Sequence, residues 1–258
     1  MTLLLAKERT ILSIMDCGLI EDAAGLRREL LRWGWFVLPI QRCRAVTVIS
    51  EATRRQVLRF VKVDPAKVRV IPVCTAPRFQ PAPLRPNRGL PRLLQIGTTP
   101  NKNLQRLIEA VAGLPCELEI VGQLRPEQLS LLAAHRVVFR NFVNLDDDEM
   151  VERYRQCDIV VFPSTYEGFG MPIAEANAVG RPVLTSNVSS MPEVAGGAAC
   201  LVDPFDVRDI RRGVLRLLRD ESYRRALVEA GYENSKRFSP ERIAGAFLSL
   251  YEELLQDA

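Results

Sequence analysis

Short β-branched runs alternate with amphipathic stretches over the last two thirds of the chain, and this alternation is what most limits its fold. The apolar runs predict strands at 92–97, 117–121, 136–139, 158–162, 182–185 and 199–202. The stretches between them predict helices that begin near Asn103, Pro126, Asp147 and Pro172, and further helices at 206–219, 221–236 and 240–256. This order is typical of an α/β domain, a Rossmann-like parallel sheet flanked by helices, which binds its ligand at the carboxyl ends of the strands.

The first 75 residues predict a smaller sheet. They offer three strands, at 10–16, 45–50 and 68–73, with helices inside 20–43 and after Ser50, which is a suitable N-cap. Five prolines between Ala76 and Pro91 indicate a linker. We therefore expect the divisions 1–75 (N-terminal domain), 76–91 (linker), 92–239 (ligand-binding domain) and 240–258 (a C-terminal helix that packs back toward the N-terminal part).

Composition narrows the class of protein. No apolar run approaches the roughly 20 residues of a membrane span, so neither a signal peptide nor a transmembrane helix is predicted. The chain of 258 residues has six widely spaced cysteines and one histidine, which argues against a zinc site and against a disulfide framework. We expect a cytoplasmic protein without a metal ion.

Positive charge is concentrated in the first third, where residues 1–90 hold 16 Lys and Arg against 7 Asp and Glu. Within it, Trp33, Trp35 and Phe36 stand among arginines in the segment 27–44, as in a helix that lies on a membrane surface. Two alternatives stay open: the segment packs on the core, or its tryptophans face a missing partner domain. No nucleic-acid-binding motif accompanies the charge, so no nucleic-acid partner is predicted.

The segment from Pro163 to Val183, PSTYEGFGMPIAEANAVGRPV, carries the chemistry. A strand ends at its start and a helix begins around Met171 or Pro172, a residue type suited to a first helical turn. The glycines between them let the backbone approach a ligand, and the exposed amides favour an anion such as a diphosphate. Glu167 and Glu175 flank this turn, and their carboxylates can accept hydrogen bonds from hydroxyls.

This segment resembles the donor-binding motif of family 4 retaining glycosyltransferases, in which two glutamates with seven residues between them stand in a frame of glycines, alanines and prolines. Ala176, Ala178, Gly180 and Pro182 match that frame. SSMPEVAGGAACLVDP, in which Glu193 closes a loop, and LLQIGTTPNKNLQRLIEAV also resemble it. The resemblance runs from about Ile11 to the C terminus and implies the C-terminal half of a GT-B-type architecture with a remnant of its N-terminal, acceptor-side domain.

The resemblance also implies roles for individual residues. Glu175 would bind the ribose of a nucleotide and Glu167 a hydroxyl of the donor sugar, while Lys102 would neutralise the leaving diphosphate. Glu167 and Lys102 are therefore the expected catalytic residues. The other expected donor contacts come from the phosphate loop, the glycine turn and the backbone near the base: Gly97, Thr98, Asn103, Val143, Gly168, Phe169, Gly170 and Met171.

The implied reaction transfers a sugar from a donor of the GDP-mannose or UDP-glucose type to the hydroxyl of a glycan or lipid-linked acceptor, with retention of configuration and without a metal. Membrane contact through residues 27–44 would place such an enzyme at the inner face of a membrane. The sequence departs from the pattern at Met15, where the family commonly has a histidine, and in lacking upstream βα units. Three interpretations stay open: a shortened enzyme, half of a two-chain enzyme, and a noncatalytic nucleotide-sugar-binding module.

Overall fold

Two compact units make up the protein, in a computed structural model that describes residues 6–21, 23–83 and 89–256. The first unit comprises Met1–Cys74 together with Glu241–Ala258, and the second comprises Thr75–Pro240. Residues 84–88 of the predicted linker lie outside the described residues, as do 257 and 258 at the end of the predicted C-terminal helix.

The first unit is built on three parallel strands in the order β1-β2-β3. The strands are β1 (Ile11–Ile14), β2 (Ala45–Val48) and β3 (Val68–Val70). The helices are α1 (Gly18–Glu21), α2 (Gly25–Leu31), a π-helical turn (Arg32–Val37), α3 (Leu38–Gln41), α4 (Glu51–Phe60) and α12 (Pro240–Gln256). Its core lies around β2, whose four residues are all buried, as a central strand of β-branched residues requires.

Local sequence signals explain the start of α4 and the extent of the C-terminal helix α12. The hydroxyl of Ser50 accepts a hydrogen bond from the amide of Thr53 at 3.0 Å, which confirms the predicted cap of α4. The C-terminal helix α12 spans the predicted range 240–256. Ile243 and Leu250, on one face of α12, are buried in a small cluster with Ile71.

The second unit contains a six-stranded parallel sheet in the order β6-β5-β4-β7-β8-β9. Its strands are β4 (Arg92–Ile96), β5 (Glu117–Val121), β6 (Phe139–Phe142), β7 (Ile159–Phe162), β8 (Val183–Ser186) and β9 (Cys200–Val202). Its α-helices are α5 (Leu104–Val111), α6 (Pro126–Ala134), α7 (Asp147–Gln156), α8 (Met171–Val179), α9 (Met191–Ala195), α10 (Val207–Arg219) and α11 (Glu221–Ser235). The parallel, helix-flanked sheet predicted from the sequence is confirmed.

One strand was predicted at the wrong place. Residues 136–138 are not part of a strand: Arg136 adopts a left-handed conformation with φ 51°, and the amide of Val137 donates to the carbonyl of Leu132, as at the end of a helix. Pairing with β5 begins only at Phe139, which lies opposite Leu118. The helix C-terminus thus uses backbone groups that the apolar pattern alone assigned to the sheet.

The described part of the predicted linker packs on the second unit. The ring of Phe79 meets that of Tyr154 edge-on, with centroids 5.3 Å apart. The guanidinium of Arg181, fully buried, donates to the carbonyls of Ala82 and Pro83 at 3.0 and 2.9 Å. Both terminal nitrogens of this buried cation thus donate to main-chain oxygens, which ties the segment to the domain, while its Nε has no partner in the described structure.

The segment 27–44 divides its aromatic residues between core and solvent. Phe36 is buried with 5% exposure, whereas Trp33 and Trp35 are 49% and 68% exposed. Phe36 therefore does not belong to an exposed interfacial face, contrary to the sequence-based expectation. Within the described residues, no helix is both long and apolar enough to cross a membrane.

Candidate functional site

The predicted ligand-binding residues lie where the order of the strands reverses. The chain adds β5 and β6 on one side of β4, then returns to place β7 on its other side. The loops after β4 and β7 therefore leave the sheet at the same edge, at the carboxyl ends of two adjacent strands. Open α/β sheets bind their ligands at this switch point, and Lys102 follows β4 whereas Glu167 follows β7.

The end of the glycine turn, where α8 begins, has three amides without a hydrogen-bond acceptor among the described residues. Gly170 is the N-cap of α8 with φ 110°, a conformation that favours glycine, and Met171 is the first helical residue, as predicted. Among the described residues, the amides of Phe169, Gly170 and Met171 donate no hydrogen bond, and Pro172 has no amide hydrogen. Unpaired amides at a helix N-terminus form a site for an anion.

Two serine hydroxyls hold the carbonyl groups of the same turn. Ser189 donates to the carbonyl oxygen of Glu167 at 2.7 Å, and Ser190 donates to that of Phe169 at 2.6 Å. The bond from Ser190 fixes the peptide plane that carries the Gly170 amide, and the bond from Ser189 fixes the plane that carries the Gly168 amide. The ring of Phe169 is buried edge-on against Phe238, so this residue offers a ligand only its backbone.

Lys102 and Glu167 form an ion pair across the two loops. The Nζ of Lys102 donates to Oε1 of Glu167 at 2.7 Å and lies 4.9 Å from the centre of the Phe162 ring. Asn101 donates to the same oxygen at 3.3 Å. The side chains are 22% and 14% exposed, so the pair is only partly screened by water. Oε2 of Glu167 has no hydrogen-bond partner among the described residues.

Gly97 makes room for this lysine. It has φ 87°, and a Cβ atom added there would lie 2.9 Å from Cγ of Lys102. The aliphatic stem of Lys102 therefore lies directly over the glycine, and any side chain at position 97 would displace it. The predicted phosphate-loop glycine thus has a steric reason as well as a conformational one.

Glu175 lies one turn into α8 and is bonded to a residue that the sequence analysis did not assign. The phenol of Tyr154, on α7, donates to Oε2 of Glu175. Burial raises the pKa of the Glu175 carboxyl, and the hydrogen bond from Tyr154 opposes that rise. Oε1 of Glu175 has no partner among the described residues. Each predicted glutamate is therefore held through one oxygen, and its other oxygen remains able to accept a hydroxyl.

The remaining predicted residues differ in what they offer. Thr98 donates its hydroxyl to the carbonyl of Gln123 at 2.7 Å, and Val143 follows β6 with 43% exposure. Gly168 lies inside the glycine turn. The buried side chain of Asn103 donates to the carbonyls of Pro163 and Pro204, so it braces the loops and has no amide hydrogen directed at a ligand. No group of three or more His, Cys, Asp or Glu side chains in the described ranges is placed to hold a metal ion.

The sequence missed several supporting side chains. Tyr154, Ser189 and Ser190 contact the predicted residues from 21 or 22 positions away, and nothing in their local sequence marks them. Glu193 was expected to close a loop but lies in the short helix α9. The SSMP stretch supplies a helix start with proline in its first turn, a signal that could have located α9.

Solved structures of the GT-B fold class superpose on most of this chain. The sucrose-phosphate synthase of Thermosynechococcus elongatus superposes with a TM-score of 0.81 at 22% identity, covering 96% of this chain and 68% of that one. Anabaena HepE, solved in complex with UDP and glucose, superposes with a TM-score of 0.80 at 15% identity, covering 94% of this chain and 71% of that one. These similarities define the fold class.

Sequence comparison defines the family. The family of group 1 glycosyl transferases matches residues 79–234, more than half of the chain. The serotype-specific mannosyltransferase WbdA of Escherichia coli is 30% identical over 244 residues, covering 84% of this chain and 30% of its own length. The O-antigen chain mannosyltransferase B of Escherichia coli is 31% identical over 234 residues, covering 82% of this chain and 61% of its own. The chain belongs to the group 1 glycosyltransferases, and its matches span 30% and 61% of the length of these two relatives.

Proposed function

We propose that this protein binds a nucleoside-diphosphate sugar at the carboxyl ends of β4 and β7 and transfers the sugar, with retention of configuration, to an acceptor hydroxyl. The observation that carries the proposal is the convergence of Lys102 and Glu167 beside the N-terminus of α8, where the amides of Gly170 and Met171 donate no hydrogen bond within the described residues. A cation and free helix-terminal amides suit a diphosphate, and a carboxylate with one free oxygen suits a sugar hydroxyl. The family to which the chain belongs supports the same reaction class.

In this proposal each group contributes to one part of the donor. The amides of Gly170 and Met171 receive the diphosphate, and Lys102 neutralises the charge that grows on it as the bond to the anomeric carbon breaks. Glu167 orients the sugar through a hydroxyl, and Glu175 binds the ribose. The acceptor hydroxyl attacks from the face that the diphosphate leaves, and its proton passes to a leaving phosphate oxygen.

The donor sugar is proposed to be a hexose carried by GDP or UDP, and mannose is favoured by the names of the two relatives above. The acceptor is proposed to be a glycan or a lipid-linked glycan. Because Lys102 and the turn amides can stabilise the leaving diphosphate, we propose that transfer requires no metal ion. Activity that survives chelation with EDTA is the expected result, and activity restored only by a divalent ion would contradict it.

Calorimetry on the purified protein tests the donor site. GDP and UDP are titrated into the wild type, into Glu175→Ala and into the control Glu229→Ala, whose side chain is exposed on α11. Loss of a charge-assisted hydrogen bond to ribose should weaken nucleotide binding by about 1–3 kcal/mol in Glu175→Ala. The control should not change. Release of nucleoside diphosphate from GDP-mannose or UDP-glucose on addition of acceptor glycans then tests transfer.

A noncatalytic nucleotide-sugar-binding module, or one half of a two-chain enzyme, is the second candidate function. Met15, half-exposed after β1, favours it, because a thioether cannot exchange protons or donate the hydrogen bonds of the histidine found there in the family. Such a protein binds nucleotide as tightly as an enzyme does but releases none from the donor. Activity that is absent alone and appears with a second polypeptide would support the two-chain form.

Residues 27–44 are proposed to contact an anionic membrane surface. Exposed Trp33 and Trp35 lie close in sequence to exposed Leu26 and Leu30, and the first third of the chain is basic. Apolar and aromatic side chains beside arginines favour the interface of an anionic bilayer. Sedimentation with vesicles of phosphatidylglycerol, but not of phosphatidylcholine alone, is the expected result. Equal binding of wild type and a Trp33→Ser, Trp35→Ser variant would contradict the proposal.

A further inference from the structure

Tyr154 reaches the proposed ribose site from a neighbouring helix. Its side chain is fully buried on α7, and its hydroxyl is a hydrogen-bond donor to Oε2 of Glu175 on α8. The ring packs edge-on against Phe79, with planes at 90°. Packing fixes the ring, and the hydroxyl has no other partner among the described residues.

The chemistry of the pair makes Tyr154 a permanent donor. Burial, together with the neighbouring carboxylate, raises the pKa of the Tyr154 phenol well above its usual value, so the phenol keeps its proton. Burial also favours the neutral form of Glu175, because a charged carboxyl loses hydration there. The phenol therefore favours the charged form of the glutamate and at the same time directs one of its oxygens.

We propose that Tyr154 is a positioning residue for nucleotide recognition: its hydroxyl holds Oε2 of Glu175 so that Oε1 accepts a hydrogen bond from a ribose hydroxyl. The inference rests on the proposed function, which assigns the ribose to Glu175. A structural role alone would need only the ring, since phenylalanine fills the same space between α7, α8 and Phe79. The hydroxyl adds what the ring cannot: it donates to Glu175, which favours the charged carboxylate and directs its Oε2.

The test compares ligands that differ only in what Glu175 would contact. UDP or GDP, whichever binds the wild type, is titrated calorimetrically beside its 2′,3′-dideoxy analogue and beside inorganic pyrophosphate. The variants are Tyr154→Phe, Glu175→Ala and their double variant. Tyr223→Phe is the control, because it removes a phenol next to Cys200, elsewhere in the domain and away from the proposed site.

The inference predicts a pattern across ligands. Tyr154→Phe should weaken the ribose-containing nucleotide about tenfold, the usual consequence of losing a hydrogen bond to a charged group. It should leave the dideoxy analogue and pyrophosphate within about twofold of wild type. In the Glu175→Ala background, Tyr154→Phe should add no further loss, because the residue acts through Glu175. Tyr223→Phe should match the wild type for every ligand.

Each contrary result has a distinct meaning. If Tyr154→Phe weakens pyrophosphate as much as the nucleotide, the tyrosine supports the whole fold, and the inference is overturned. If Glu175→Ala weakens nucleotide binding but Tyr154→Phe does not, the inference is overturned and the proposed function stays intact. A wild type that binds neither UDP nor GDP overturns both.

Discussion

Replacing Glu167 with glutamine should strengthen the binding of a free nucleoside diphosphate while weakening use of the complete donor. Oε1 of Glu167 accepts a hydrogen bond from Nζ of Lys102 at 2.7 Å. A diphosphate that binds Lys102 has to compete with that carboxylate. Glutamine removes the competing charge, so Lys102 becomes available to phosphate.

The magnitude follows from how far the pair is buried. Fully exposed ion pairs contribute about 0–1 kcal/mol, and two unit charges at 4 Å and an effective dielectric constant of 20 attract by about 4 kcal/mol. With side chains 22% and 14% exposed, the pair lies between these limits but must also offset its desolvation. A net value of about 1 kcal/mol predicts nucleoside diphosphate binding roughly fivefold tighter in Glu167→Gln.

The complete donor responds in the opposite direction. A neutral amide is a weaker acceptor for a sugar hydroxyl than a carboxylate, so sugar transfer should fall at least about tenfold. Calorimetry with UDP and GDP, followed by a transfer assay, measures both effects on one preparation. Glu127→Gln, which removes an exposed carboxylate from α6, controls for general charge. Weaker or unchanged nucleoside diphosphate binding in Glu167→Gln would refute the competition argument.

Three further substitutions test neighbouring parts of the structure. Lys102→Ala should weaken nucleoside diphosphate by about 1.5–3 kcal/mol and the bare nucleoside hardly at all, and equal calorimetric losses would remove its phosphate role. Gly97→Ala should reproduce that pattern because its Cβ would strike Cγ of Lys102, whereas Gly113→Ala, with φ 71° and open space around it, should not. Burial raises the pKa of Glu119, whose oxygens have no hydrogen-bond partner in the described structure. The folded state therefore binds the proton of Glu119 more tightly than the unfolded state does, so the free energy of unfolding falls as the pH rises from the acid range. Glu119→Gln should therefore raise the melting temperature at pH 8 and leave it nearly unchanged at pH 4, and equal shifts at both pH values would contradict this reasoning.

The sequence predicted those parts of the fold whose signals are local. β7 and the start of α8 at Met171 follow from an apolar run, a glycine turn and a proline in the first helical turn. The cap at Ser50 follows from a hydroxyl that precedes a helix. The prediction of a strand at 136–139 was wrong because it also relied on a local pattern. The apolar residues there follow a helix C-terminus, at which Arg136 is left-handed, and such a segment has the same hydrophobic pattern as a strand.

Contacts between distant segments could not be predicted. From the sequence, Lys102 was assigned to the diphosphate and Glu167 to the sugar, but the hydrogen bond that joins these two residues across 65 positions could not be anticipated. The hydrogen bond from Tyr154 to Glu175 depends on how α7 packs on α8. Both contacts become visible only when the strand order, with β7 beside β4, brings the elements together.

The ion pair between Lys102 and Glu167 has a consequence for selectivity. A ligand that carries only phosphate takes Lys102 from Glu167 and leaves the carboxylate, 14% exposed, with only the longer hydrogen bond from Asn101. A complete donor brings phosphate oxygens for the lysine and a sugar hydroxyl for the glutamate, so both groups gain a partner when their mutual bond breaks. Because an unpaired, partly buried charge is unfavourable, the pair should disfavour inorganic phosphate and pyrophosphate relative to the full nucleotide sugar. The two residues then act as one selective unit rather than as two independent contacts.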